Sequence, residues 1–183
     1  MEGYLAITEK KLESLSEQEL VSCSGSYGNY GCDGGLPSSA YNYIVDHSVA
    51  TEKDYPYKGW DEDCQEDLKK GERFTVKQYH MMTEPNVENL SKFLKQGPVS
   101  VALEVNEDFQ LYSGGVFPFD DSCGSSINHA VLLVGQEQNF YIVKNSWGMS
   151  WGEDGYIRLE IGSGSGNCGI ANEYDVLPGV KAW

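Results

Sequence analysis

The sequence predicts an α+β fold in two parts, helical first and strand-rich second. Three observations lead there. Helix-start chemistry and helical spacing dominate the chain before Phe74, whereas apolar/polar alternation dominates after it. The chain has 183 residues, enough for one large or two small domains. No apolar stretch approaches the length of a membrane span. We place a helical domain at 1–73 and a β-barrel-like antiparallel domain at 74–175, with a cleft between them.

Met1 to Ile7 reads as helix, and Ser16-Glu17-Gln18-Glu19 as a capping box with Ser16 as N-cap and Glu19 reaching back. A short helix to about Cys23 follows, then a polar loop from Ser24 to Asn29. Gly34-Gly35 removes side chains where a tight turn or another backbone must come close. Pro37 suits a first helical turn, and Ala40, Ile44 and His47 recur at helical spacing, so 38–48 is a helix. Residues 51–67 read as loop, with Tyr55, Tyr57 and Trp60 packed beneath it. His47 and His80 read as structural.

In the second part, Asn86 to Gln96 reads as a helix with Val87, Leu90 and Leu94 on one side. Asn89-Leu90-Ser91 within it is a glycosylation sequon. Val99, Val101, Leu103 and Val105 alternate with smaller or polar residues, as a strand does. Ile157, Leu159 and Ile161 do the same, and 162–166 is a Gly/Ser loop.

Between those strands lie two phrases that carry chemistry. Asn128-His129-Ala130 opens the apolar run Val131 to Gly135, and Asn145-Ser146-Trp147-Gly148 closes a second strand. A polar link, 136–139, lets the two fold back as an antiparallel pair. With Gly135 near Phe140, His129 falls opposite residue 146, one position from Asn145. One register step would flip the face. An imidazole beside a fixed amide oxygen has its tautomer and orientation set, and can serve as base and then acid for a nucleophile. A lone His beside a buried strand is more often a satisfied core residue. The Trp-Gly repeats at 147–148 and 151–152 serve equally well as packing and turns.

Together these phrases resemble the papain family of cysteine proteases, in its cathepsin L-like branch. The resemblance rests on Asn128-His129-Ala130, Lys144-Asn145-Ser146-Trp147-Gly148 and Trp151-Gly152-Glu153-x-Gly155-Tyr156. Leu15 to Leu20, Gly31-Cys32-Asp33-Gly34-Gly35, Tyr55-Pro56-Tyr57 and Gly97-Pro98-Val99-Ser100-Val101 extend it in order over nearly the whole chain. It implies that His129 is the general base, Asn145 its orienting partner and Trp147 a shield over their hydrogen bond. It implies that Gly34 and Gly35 border the cleft and bind an extended peptide as an added strand. Leu36, Pro37, Ala102 and Asn128 would wall the pocket for the second substrate residue before the scissile bond. The floor of that pocket, five residues after Cys168, would be Glu173. It also implies that the tail 176–183 returns to the helical domain.

The family's nucleophile is a cysteine in a Cys-x-x-Cys-Trp phrase at the start of a long central helix, and no such phrase occurs here. Met1 to Ile7 resembles the second half of that helix, so the chain is expected to start within it. The implied function is thiol-dependent peptide-bond hydrolysis, with these 183 residues inactive alone. The alternative is a non-catalytic relative that binds peptides or proteins in the same cleft.

Five cysteines are present, none in a Cys-x-x-Cys pair, which argues against zinc and for disulfides in an oxidising compartment. The odd count leaves one over. The resemblance pairs Cys23 with Cys64 and Cys123 with Cys168, leaving Cys32 without its partner. No cofactor or metal is implied. Partners would be peptide or protein substrates and cystatin-like or propeptide inhibitors. A formal net charge of −15 argues against nucleic acid and anionic membranes. The implied location is lysosomal, vacuolar or extracellular.

Overall fold

The computed structural model describes residues 1–82, 84–120 and 123–176. They form two compact units, Met1–Tyr79 and His80–Val176. The expected return of the tail lies, beyond Val176, outside the described residues.

In the first unit, helices α1 (Glu2–Thr8), α2 (Glu17–Cys23) and α3 (Pro37–His47) precede a two-stranded pair, β1 (Val49–Ala50) with β2 (Arg73–Phe74). Leu5, Leu15, Tyr41, Tyr43, Ile44, Val49, Phe74 and Val76 make its core. Phe74 is thus core to the helical unit, because β2 pairs back onto β1. Helix α2 begins as its sequence requires: the Ser16 hydroxyl accepts from the Glu19 N–H at 2.9 Å. The other half of the capping box does not form. The Glu19 carboxylate, fully buried, instead accepts from the Tyr43 hydroxyl, the Ala50 N–H and the Arg73 guanidinium, at 2.7, 2.8 and 2.6 Å. A buried carboxylate needs a paired cation and several donors, and this one draws them from three elements. Glu19 therefore does more than start a helix.

The second unit is built on a seven-stranded sheet in the order β3-β9-β4-β6-β7-β8-β5. Its strands are β3 (His80–Met81), β4 (Val99–Leu103), β5 (Val116–Phe117), β6 (His129–Glu137), β7 (Phe140–Lys144), β8 (Tyr156–Glu160) and β9 (Glu173–Val176). Every pairing among the described residues of this sheet is antiparallel except β5 with β8, which is parallel. Helix α4 (Val87–Leu94) and the short α5 (Glu107–Gln110) complete it, capped by the Asn86 and Asn106 side chains. Leu90, Val99, Val101, Leu103, Leu133, Tyr141, Val143, Ile157 and Leu159 fill the core at 0–1% exposure, so the alternation in β4, β7 and β8 marks the buried face. The sequon lies in α4, where the Asn89 amide donates to the Glu84 carbonyl and the Ser91 hydroxyl bonds the Tyr141 hydroxyl.

The β6–β7 hairpin differs from its sequence-based register. Strand β6 runs on to Glu137, which pairs with Phe140 across a two-residue turn, Gln138-Asn139. Gly135 lies opposite Ile142, and an irregularity at Val134 shifts the register between Leu133 and Gly135. Polar Gln136 and Glu137 stay in the ladder because their backbone pairs regardless of side-chain polarity. The extra residue returns Leu132 opposite Lys144, which brings His129 back toward Asn145.

Candidate active site

His129 begins β6 and Asn145 follows β7, so adjacent strands of one sheet carry the two side chains. His129 Nε2 lies 2.9 Å from Asn145 Oδ1. The Ser146 N–H donates to the same oxygen at 2.8 Å. Two N–H groups converging on Oδ1 fix the amide's orientation, and an amide oxygen can only accept. His129 therefore carries its proton on Nε2 and leaves Nδ1 free to take one. Asn145 is 7% exposed, and its Nδ2 is buried without a hydrogen-bond partner among the described residues.

The Trp147 ring lies over the imidazole, with centroids 5.0 Å apart and planes tilted by 32°. Trp147 in turn meets Trp151 and Phe109 edge-on, and Phe109 stacks on Trp151 at 5.6 Å. This aromatic block covers one side of the imidazole–amide pair. A low-dielectric cover strengthens a hydrogen bond that water would otherwise compete for.

Asn128 is clasped rather than free. Its Oδ1 accepts from the Val105 N–H at 2.7 Å, and its Nδ2 donates to the Val105 carbonyl at 3.1 Å. That clasp anchors the residue just before His129 to the segment that follows β4. Ala102 lies in β4 opposite Ala130 on one side and Glu173 on the other. Glu173 is exposed, while Asp175, two residues on along β9, is 7% exposed. Burial first, and then the Glu173 charge, push the Asp175 carboxyl up to about 6.

In the first unit, Gly34 has a φ of +115° with open space where a Cβ would stand. A Cβ on Gly35 would sit 2.2 Å from Asn29 Oδ1, which accepts from the Leu36 N–H. The Gly34 carbonyl accepts from the Tyr30 N–H, whereas the Gly35 backbone has no hydrogen-bond partner among the described residues. Leu36 is 54% exposed, and Pro37 opens α3. Disulfides join Cys23 to Cys64 and Cys123 to Cys168, and Cys32 is free and exposed. Partial desolvation, then the Asp61 and Asp33 carboxylates, push the Cys32 thiol up.

Residues 1–177 match the family model described as papain family cysteine protease. The chain belongs to the papain family of cysteine proteases. Cysteine proteinase RD21A of Arabidopsis thaliana is 43% identical to it over 181 residues. A cathepsin L-like protein of Caenorhabditis elegans is 44% identical over 182. Each alignment takes in 94% of this chain but only 38% and 53%, respectively, of the relative's length. Among solved structures, the Carica candamarcensis cysteine protease CMS1MS2, in complex with E-64, superposes with a TM-score of 0.91 at 36% identity. That match covers 98% of this chain and 84% of the other. The proform of the ragweed pollen allergen Amb a 11, a cysteine protease, gives 0.89 at 38% identity, over 96% of this chain and 55% of that one. The fold is therefore the papain-like α+β fold.

Sequence reasoning missed the residues that brace this papain-like site: Glu153, Arg158, Tyr112, Phe109 and the Asn128–Val105 clasp. A signal for the first two existed. An acid and an Arg five residues apart stand on either side of Gly155, with Gly152 just before the acid. The aromatic block had none, since Phe109 and Tyr112 stand apart from the Trp-Gly phrases in sequence.

Proposed function

We propose that the protein hydrolyses peptide bonds as a papain-type cysteine endopeptidase, with His129 as general base and Asn145 as its orienting partner. The observation that carries this reading is the hydrogen bond from His129 Nε2–H to an amide oxygen that the Ser146 N–H also holds. It leaves Nδ1 as the proton acceptor beneath the Trp147 ring. Nδ1 takes the proton of a nucleophilic thiol, the thiolate attacks the scissile carbonyl, and the imidazolium returns the proton to the leaving amine. The imidazole then deprotonates the water that hydrolyses the acyl-enzyme.

None of the five cysteines suits the nucleophile. Four are in disulfides, and Cys32 is held toward its protonated form by partial desolvation and then by the Asp61 and Asp33 carboxylates. Turnover is expected only where a cysteine in a Cys-x-x-Cys-Trp phrase joins this machinery. Gly35 offers an unpaired backbone to an extended peptide, and in the second unit Ala102 and Glu173, partners across β4 and β9, offer an apolar wall and an acid to a substrate side chain. Proteins that plug the same surface, cystatin-like or propeptide in kind, are the expected inhibitors. Two disulfides fit an oxidising compartment, and we place the protein in a lysosome, vacuole or secreted fluid.

The alternative is a relative that binds peptides without cleaving them. The two are separated by assaying Phe-Arg peptide cleavage and epoxide labelling of the 183-residue chain and of a form carrying the cysteine phrase. Activity in the second alone, abolished by His129→Ala, supports the protease. Silence in both, with peptide binding retained, overturns it.

A further inference from the structure

We infer that Glu153 and Arg158 are positioning residues for the His129–Asn145 pair, acting through the turn that joins β7 to β8. The inference rests on the protease reading for its catalytic consequence, but not for its geometry.

That turn is an unfavourable piece of backbone. Between Asn145 and Tyr156, Gly148, Gly152, Asp154 and Gly155 all have positive φ, at 84°, 57°, 54° and 91°. A Cβ on Gly152 would stand 2.5 Å from the Tyr156 carbonyl oxygen and 3.1 Å from the Tyr112 ring. Short internal bonds fold the segment on itself: Gly155 N–H to the Trp151 carbonyl at 2.8 Å, and a reciprocal pair between Glu153 and Tyr156 at 2.9 and 3.0 Å.

The product of this folding is delivered to the site in two ways. The Gly155 carbonyl accepts from the Asn145 N–H at 2.9 Å, so the turn fixes the backbone from which the orienting amide projects. The same turn carries Trp151, which braces Trp147 edge-on at 5.1 Å over the imidazole.

Glu153 and Arg158 hold the turn from outside. The Arg158 guanidinium meets both carboxylate oxygens, Nε to Oε2 at 2.8 Å and Nη2 to Oε1. Oε1 also accepts from the Gly115 N–H at 3.0 Å. The Gly115 carbonyl takes the Tyr112 hydroxyl at 2.6 Å, and Tyr112 packs against Trp151 at 5.7 Å. Arg158 lies in β8 opposite Ile142 of β7, within the strand pair that carries Asn145. One carboxylate thus ties the sheet, the Gly115 loop and the aromatic block to the turn. A fork-to-fork Arg–carboxylate pair supplies orientation that a single contact does not.

The test reads the imidazole itself. In the 183-residue chain, the His129 Nε2 proton is followed by NMR hydrogen exchange in the native chain, in Glu153→Gln and in Arg158→Lys. The first variant removes the charge but keeps an acceptor for Gly115. The second keeps the charge but removes the fork, so it stands in if the first fails to fold. Lys92→Ala, which breaks the exposed Glu88–Lys92 pair on α4, is the control. The expected result is exchange roughly tenfold faster in Glu153→Gln, a smaller acceleration in Arg158→Lys, and no change in the control. Exchange within about twofold of native in either folded variant overturns the inference, as does failure of both to fold. In an active form, the matching expectation is a roughly tenfold loss of kcat with KM nearly unchanged. Faster exchange with undiminished kcat would fault the protease assignment of His129 and leave the positioning intact.

Discussion

Ala102 and Glu173 are direct partners across antiparallel strands β4 and β9, so the methyl and the exposed carboxylate stand side by side on one face of the sheet. An apolar wall next to an acid can accept two kinds of guest. A Phe or Leu packs on the wall while the carboxylate turns to water, whereas an Arg pairs with the carboxylate bidentately. With an active form, Glu173→Ala is expected to lower kcat/KM for Arg-Arg peptides roughly tenfold relative to Phe-Arg peptides. An unchanged ratio would remove Glu173 from the pocket.

Asp175 sets a pH dependence of stability. Its carboxyl is raised to about 6 in the folded chain, against about 3.9 when unfolded. Below the lower value both states are protonated, and the residue contributes nothing. As pH rises from there through 6, the unfolded chain releases the proton first, so stability falls and stays lower above 6. Asp175→Asn is expected to stabilise by about 1–2 kcal/mol at neutral pH and hardly at all near about pH 3.5, read by urea unfolding at both. Equal effects at the two pH values would refute this.

The Glu19–Arg73 pair carries a larger stake. The Glu19 side chain has no solvent exposure, and Arg73 is the one cation bonded to it among the described residues. Arg73→Met leaves that carboxylate buried and uncompensated, at an expected cost of about 3–5 kcal/mol in denaturant midpoint experiments. The double change to Glu19→Gln with Arg73→Met should recover a good part of it.

Thiol chemistry should follow the cysteine map. Peptide mapping without reductant is expected to yield Cys23–Cys64 and Cys123–Cys168, with Cys32 alone alkylated. Because partial desolvation and then two carboxylates hold the Cys32 thiol up, its alkylation should lag behind that of a free model thiol at about pH 8 and catch up as pH rises. Faster labelling than the model thiol would contradict the environment described.

Much of this was legible in the sequence because it depends on local rules. Ser16 and Asn86 announce helix starts, Pro37 opens α3, and the alternation in β4 and β8 marks the buried face. The pairing of His129 with Asn145 was legible from two short phrases, although the register that achieves it was not, since it turns on the single extra residue at Val134. What escaped depends on distant partners. Glu19 abandons its own helix start for Arg73, and β2 joins the helical unit because β1 lies there to receive it. The parallel pairing of β5 with β8 likewise has no local sequence signal.

The strand order has a consequence for how the molecule is made. Strand β9 lies between β3 and β4, both of which leave the ribosome long before it. Until Glu173 to Val176 arrive, β4 presents an unpaired edge bearing Val99, Val101 and Leu103, the kind of edge that recruits other chains. The second unit must therefore wait, open on one side, for its last strand to slot in. Such non-local closure is slow. Shielding that edge during synthesis should raise the yield of soluble protein more than any strengthening of the finished core.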